Sequence, residues 1–157
     1  MSIGGVDEGA PEGFEEWLAS VEPRLRRAVV GAVGVDRAGD AVAEALAWAW
    51  EHWARARMLE HPVPYLFRVA QSRSRRRREG RPPSPEPVAV PDVEPGLVDA
   101  LMALSPRQRM CVWLVHGCEW SYVEVADALD LSPSTVANHV SRGLDGLRDR
   151  LGVVSDG

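Results

Sequence analysis

The sequence predicts an all-α protein made of two small helical units joined by a proline-rich linker. Three observations carry that prediction. Apolar residues recur at three- and four-residue spacing through most of the chain. No alternating β-branched run is bounded by hairpin turns. Residues 79–96, EGRPPSPEPVAVPDVEPG, hold six prolines and no helical period.

The first helix is expected from Gly13 to Val33, where Phe14, Trp17, Leu18, Val21, Leu25, Val29 and Val33 line one face. Pro23 falls inside it and should kink or divide it, because proline removes an intrahelical hydrogen bond. Gly31 to Gly39 contains three glycines and reads as a turn. A second helix follows from Asp40 to Arg57, with Val42, Leu46, Trp50 (or Ala49) and Trp53 on one side. His61-Pro62-Val63-Pro64 is a break, and Pro64 suits the first position of a third helix running to Arg78.

These stretches make a first unit at 13–79. The acidic residues 1–12 before it are expected to be disordered. The linker at 80–96 could span on the order of 50 Å if it adopts polyproline II. A second unit is expected at 97–152.

In that second unit Leu97, Val98, Leu101 and Leu104 form a short amphipathic helix. Ser105-Pro106 starts the next one with a cap and a first-position proline, and Gly117 ends it. Ser121 and Glu124 are spaced as a capping box. Asp130-Leu131-Ser132-Pro133 is a tight turn into a last helix, along which Val136, Val140, Leu144, Leu147 and Leu151 recur. Two capped helices across a tight turn make the plan of a helix-turn-helix. Ala126 is small where the two helices cross, and Leu131 plugs the corner. Ser134, Thr135, Ala137, Asn138, His139, Ser141 and Arg142 are left for the outer face. Asparagine can read adenine there, and histidine or arginine can reach bases or phosphates.

The chain carries a formal net charge of −5, but the charge is segmented. Residues 1–67 sum to −5, residues 68–81 to +6 and residues 82–157 to −6. Five arginines occupy six positions at Arg73, Arg75, Arg76, Arg77 and Arg78, more than the capping of a helix C-terminus requires. They fit a polyanion, and above all a nucleic-acid backbone. No apolar run reaches the length of a membrane span, and the acidic start lacks the basic and apolar parts of a secretory signal, so a cytoplasmic location is expected. Cys111, His116 and Cys118 have no evident fourth ligand for zinc. The four histidines show no partnered nucleophile, and there is no phosphate-binding glycine loop. Neither an enzyme site nor a metal or cofactor site is expected. At least four of the six tryptophans should be packing residues, with Trp48 and Trp53 the exceptions.

The segment LSPRQRMCVWLVHGCEWSYVEVADALDLSPSTVANHVSRGLDGLRDRL resembles region 4 of the sigma-70 family. Thr135 to His139 and Val140 are equally similar to LuxR-type regulators, which share the helix-turn-helix. The earlier segment GDAVAEALAWAWEHWARARMLEHPVPYLFRVAQSRSRRRR is similar to region 2 of extracytoplasmic-function (ECF, group IV) sigma factors. The resemblance implies a promoter-specificity subunit of RNA polymerase. Asp40, Val42, Glu44 and Trp48 would then dock on the β′ clamp helices, with the β flap a further contact. Arg55, Arg57, His61, Tyr65, Arg68, Gln71 and the five arginines at 73–78 would recognise and open the −10 element. The helix-turn-helix face would read the −35 element. An anti-sigma factor is a usual partner in that family. The sequence departs from the family pattern at Gly39, Ala43, Ser72, Ala137 and His139. A stand-alone regulator, and a degenerate sigma that binds core polymerase or an anti-sigma factor without initiating, are the alternative readings.

Overall fold

A computed structural model describes residues 9–78 and 96–152. The linker read at 80–96, apart from Gly96, and the first eight residues of the acidic start lie outside them. The described residues form eight α-helices and no strand: α1 Phe14–Val33, α2 Val35–Glu51, α3 Trp53–Ala56, α4 Pro62–Arg78, α5 Leu97–Met102, α6 Pro106–Val112, α7 Tyr122–Leu129 and α8 Pro133–Leu151. A π-helical turn, Trp113–Gly117, extends α6.

Three differences from the expected boundaries have local causes. Pro23 does not divide α1, which runs unbroken through it with the proline on the exposed side. The glycine-rich turn shrinks to Gly34, whose φ of +88° supplies the left-handed step between α1 and α2. Gly31 and Gly39 are both helical. The second helix stops at Glu51, and His52 separates it from the single turn of α3. Residues 9–12 are placed as well, with Ala10 packed against the core.

Helices α1, α2 and α4 pack mutually around Leu25, Val29, Val42, Leu66 and Phe67. The inward face of α2 is almost all alanine (Ala38, Ala41, Ala45 and Ala49), so its backbone can lie close to both neighbours. In the second unit α6, α7 and α8 surround Leu114, Val125 and Val136, while α5 covers a smaller cluster of Ala100, Leu104, Val112 and Leu147. Gly143 permits the crossing of α8 over α6, because a Cβ there would stand 2.6 Å from a Val112 methyl.

The two units are not separate bodies. Helix α4 packs on α7, the π turn packs on α1, and the buried residues of both halves form one continuous cluster. Phe67 of α4 meets Trp120 edge-on, with ring centroids 5.5 Å apart. The Trp113 indole lies directly on Gly31, where even a methyl group would overlap the ring. It is backed by Gly117, where a Cβ would stand 2.5 Å from the ring edge. The π turn closes with Cys118 donating to the carbonyl of Trp113 at 3.0 Å, and Glu119 reverses the chain at φ +60°.

Candidate nucleic-acid interface

The positive surface is built on α4. Its apolar face (Val63, Leu66, Phe67 and Ala70) is held in the core, and the small Ser74 continues that face at 8% exposure. This turns Arg68, Ser72, Arg73, Arg75 and Arg76 outward, with Gln71 half-buried among them. Arg77 and Arg78 belong to the same helix, but their side chains lie outside the described set. Arg68 leans toward α7, its guanidinium 3.5 Å from the carbonyl of Asp127.

At the other end of α4 an aromatic group closes the space beneath α2 and α3. Trp48 and Tyr65 are 5.0 Å apart, and His52 stacks on Trp48 at 4.9 Å. The Arg55 guanidinium sits 5.8 Å from the Trp48 centroid and 5.6 Å from that of Tyr65, within cation–π range of both. His52 Nδ1 is 2.9 Å from the Trp48 carbonyl, which fixes the ring in the stack. His52 was not among the expected site residues, and its i,i+4 spacing from Trp48 was the signal for it. Exposed Arg57 and half-buried His61 flank this group, and His61 lies 3.9 Å from Glu60. Flat rings beside exposed cations can receive unstacked bases and their phosphates.

Two of the residues expected to dock polymerase are placed differently. Val42 is 1% exposed, packed in the core between α1 and α4, so it supports the α2 surface from beneath and offers no contact of its own. Trp48 lies in the aromatic group with Tyr65, two turns along α2 from Asp40. Asp40 is exposed and Glu44 half-buried on α2. The exposed tryptophan is Trp50, at 39%, whereas Trp53 packs edge-on against Phe14 and Trp17.

The second surface is the α7–α8 pair. Ser121 Oγ accepts from Glu124 N at 3.1 Å while Glu124 Oε1 accepts from Ser121 N at 3.2 Å, which completes the capping box. Asp130 turns the corner at φ +55°, a conformation that aspartate tolerates better than most residues. Ser132 Oγ accepts from Thr135 N at 3.2 Å and caps α8. The Thr135 hydroxyl also bonds Ser132, at 2.8 Å. Val136 and Val140 are buried, so Ser134, Asn138 and Arg142 are exposed, and Ala137 and His139 are half-buried beside them. This is the face assigned from sequence. Arg24 of α1 reaches Glu124 at 2.9 Å and ties the helix-turn-helix to the first unit. Burial alone would push the Glu124 carboxyl up, but the Arg24 hydrogen bond, the Ser121 backbone N–H and the Arg24 charge hold it below its ordinary value.

Among the described residues, no group of three or more histidines, cysteines or acids could hold a metal ion, and no helix is long and apolar enough to cross a membrane.

A short capped helix, a tight turn and a longer helix with a polar outer face, packed beside an arginine-bearing helix, define a helix-turn-helix protein with a second cationic surface. Residues 96–145 match the family model described as Sigma-70, region 4. The whole fold is similar to the solved structure of the sigma factor RpoE in complex with the anti-sigma factor NepR from Bartonella quintana. That similarity has a TM-score of 0.71 at 23% sequence identity and covers 91% of this chain and 99% of that one. Among curated protein sequences, none matches the chain.

Proposed function

We propose that this chain is an ECF-type sigma factor that binds core RNA polymerase and directs it to promoters in the cytoplasm. The observation that carries the reading is the sigma-70 region 4 match, seated on a complete, doubly capped helix-turn-helix. In this reading Ser134, Asn138, His139 and Arg142 face the −35 element, and at the N-terminus of α8 the Ser134 N–H is placed for a phosphate. The aromatic group of Trp48, His52 and Tyr65, with Arg55 beside it, faces the −10 element, and the exposed arginines of α4 follow the DNA backbone. Asp40 and Glu44 on α2 face the polymerase clamp. The protein supplies promoter choice, and catalysis belongs to the polymerase. The resemblance to a sigma factor solved with its anti-sigma factor supports a partner of that kind here.

The experiment is transcription in vitro with purified protein and sigma-free core polymerase from a GC-rich bacterium, on a pooled genomic promoter library. Defined starts that disappear when Arg73, Arg75 and Arg76 are changed together to alanine are expected. Core binding without any transcript would instead identify a degenerate sigma. Absence of both would leave a stand-alone helix-turn-helix regulator.

A further inference from the structure

Where the two units meet, a cleft of about 600 Å³ opens between α4 and the corner formed by α6 and the end of α7. One wall carries Arg68, Gln71, Arg75 and Arg76, and the other carries Arg107, Met110, Leu129 and Asp130. The volume is that of a small-molecule site. Four guanidiniums face a single carboxylate across it, so the cleft is strongly cationic. Among the described residues none of the four is paired with a carboxylate. Arg68 and Arg107 touch only backbone carbonyls, those of Asp127 and Leu129 at 3.5 and 3.1 Å. Arg24 and Arg26, by contrast, are both engaged by glutamates.

Guanidiniums on opposite walls suit an anion with more than one charged group, since each can fork onto two phosphate oxygens. The rest of the lining does not suit a bare phosphate chain. Met110, Leu129 and the ring of Pro106 offer an apolar patch, with the Gln71 amide and the Asp130 carboxylate at its margin. That combination of cations, an apolar patch and a few hydrogen-bonding groups fits a base joined to a chain of phosphates. We propose that the cleft is a binding site for a nucleoside di- or triphosphate, which clasps the two units together.

Both walls are needed, so the ligand binds only while the units are packed against each other. By linkage, whatever binds that arrangement alone stabilises it. The same α4 arginines are the ones proposed to follow promoter DNA, so a bound nucleotide would compete with the promoter. That last consequence rests on the sigma-factor reading, but the binding itself does not.

The test is isothermal titration of the full chain, in magnesium-free low-salt buffer, with ATP, GTP, inorganic triphosphate and guanosine as separate probes. Saturable one-to-one binding of a nucleoside triphosphate is expected, at least about tenfold tighter than triphosphate alone. Arg107→Gln and Ser72→Glu, each exposed and outside the proposed DNA contacts, should each weaken it by about tenfold or more. Circular dichroism melts confirm that both variants fold. Absence of nucleotide binding overturns the proposal. So does binding that survives both variants and is lost only in Arg75→Ala, which would mark simple adhesion of a polyanion to the arginine helix. Triphosphate binding as tightly as ATP and GTP overturns the nucleoside assignment. Because no polymerase or DNA is present, a failed transcription assay leaves this result untouched.

Discussion

Glu124 has two duties, as the far half of the α7 capping box and as the partner of Arg24 on α1. Its carboxyl is held below the ordinary value of 4.5, chiefly because the Arg24 and Ser121 hydrogen bonds outweigh the upward push of burial. A depressed carboxylate contributes stability that is full above its unfolded value and lost as pH falls through the lower folded one. The melting temperature should therefore fall on acidification below about pH 4.5 more steeply in the native chain than in Glu124→Gln, as scanning calorimetry across that window would reveal. The two thiols behave in the opposite sense. Burial pushes Cys118 up to about 11 despite the charges of Arg27 and Arg24, and it raises Cys111 against the opposing charge of Arg107. Since the thiolate is the reactive form, neither should react with an aromatic disulfide reagent at about pH 8 until the protein is denatured. Rapid colour development in native buffer would contradict their burial. The same local logic explains what could be read from sequence at this scale. Ser121, Glu124, Ser132 and Pro133 act on backbone groups within three residues, so their roles were legible without the fold. Val42 was read both on the apolar face of its helix and as a polymerase contact, and its burial to 1% exposure keeps only the first of these.

At the scale of elements, α4 illustrates how packing arms a surface. Its inward residues are fixed by the core, and that alone decides which arginines face outward. Each exposed arginine that neutralises a phosphate releases counterions, so the logarithm of promoter affinity should fall steeply with the logarithm of salt. Arg75→Ala and Arg76→Ala should each reduce that slope by about one, as measured by fluorescence anisotropy of the holoenzyme on a promoter duplex over a salt series. An unchanged slope would remove those residues from the backbone contact. Helix periodicity made α1, α4, α7 and α8 readable to within two residues of their ends. The Gly31–Gly39 segment was misread for a physical reason. Only Gly34 takes a left-handed conformation, while Gly31 sits in a helix to leave room for a ring eighty residues away. Composition does not distinguish a glycine needed for its dihedral from one needed for its missing side chain. The aromatic group beside α3 was legible only in part. Tyr65 and Arg55 were expected at the −10 element and Trp48 at the polymerase clamp, and nothing in the sequence reading brought the three together with His52.

For the whole molecule, the sequence was read as two small units joined by a proline-rich linker, and the described residues of both contribute to one continuous buried cluster. Nothing in either half taken alone announces the partner surface, because Phe67, Trp113 and Trp120 read equally well as interior residues of their own units. The arrangement has a thermodynamic consequence. Apolar surface buried between halves couples their stabilities, so the native chain should unfold in one cooperative transition. Gly31→Val removes the seat of Trp113 without touching either proposed DNA surface. It should split the calorimetric transition in two and raise the radius of gyration seen by small-angle scattering. A single transition at unchanged radius would show that the seam tolerates the side chain and that Trp113 does not hold it.

The contact of Trp113 with Gly31 also bears on how such a protein could evolve. Position 31 is a bare stretch of helix, and any side chain larger than hydrogen acts as a wedge between the units. Glycine codons mutate in one step to several residues of graded size, from alanine to valine and arginine. A lineage therefore holds an inherited dial. By changing this one position it can set how much of the population stands open at rest, while every residue of the two proposed DNA surfaces stays as it was.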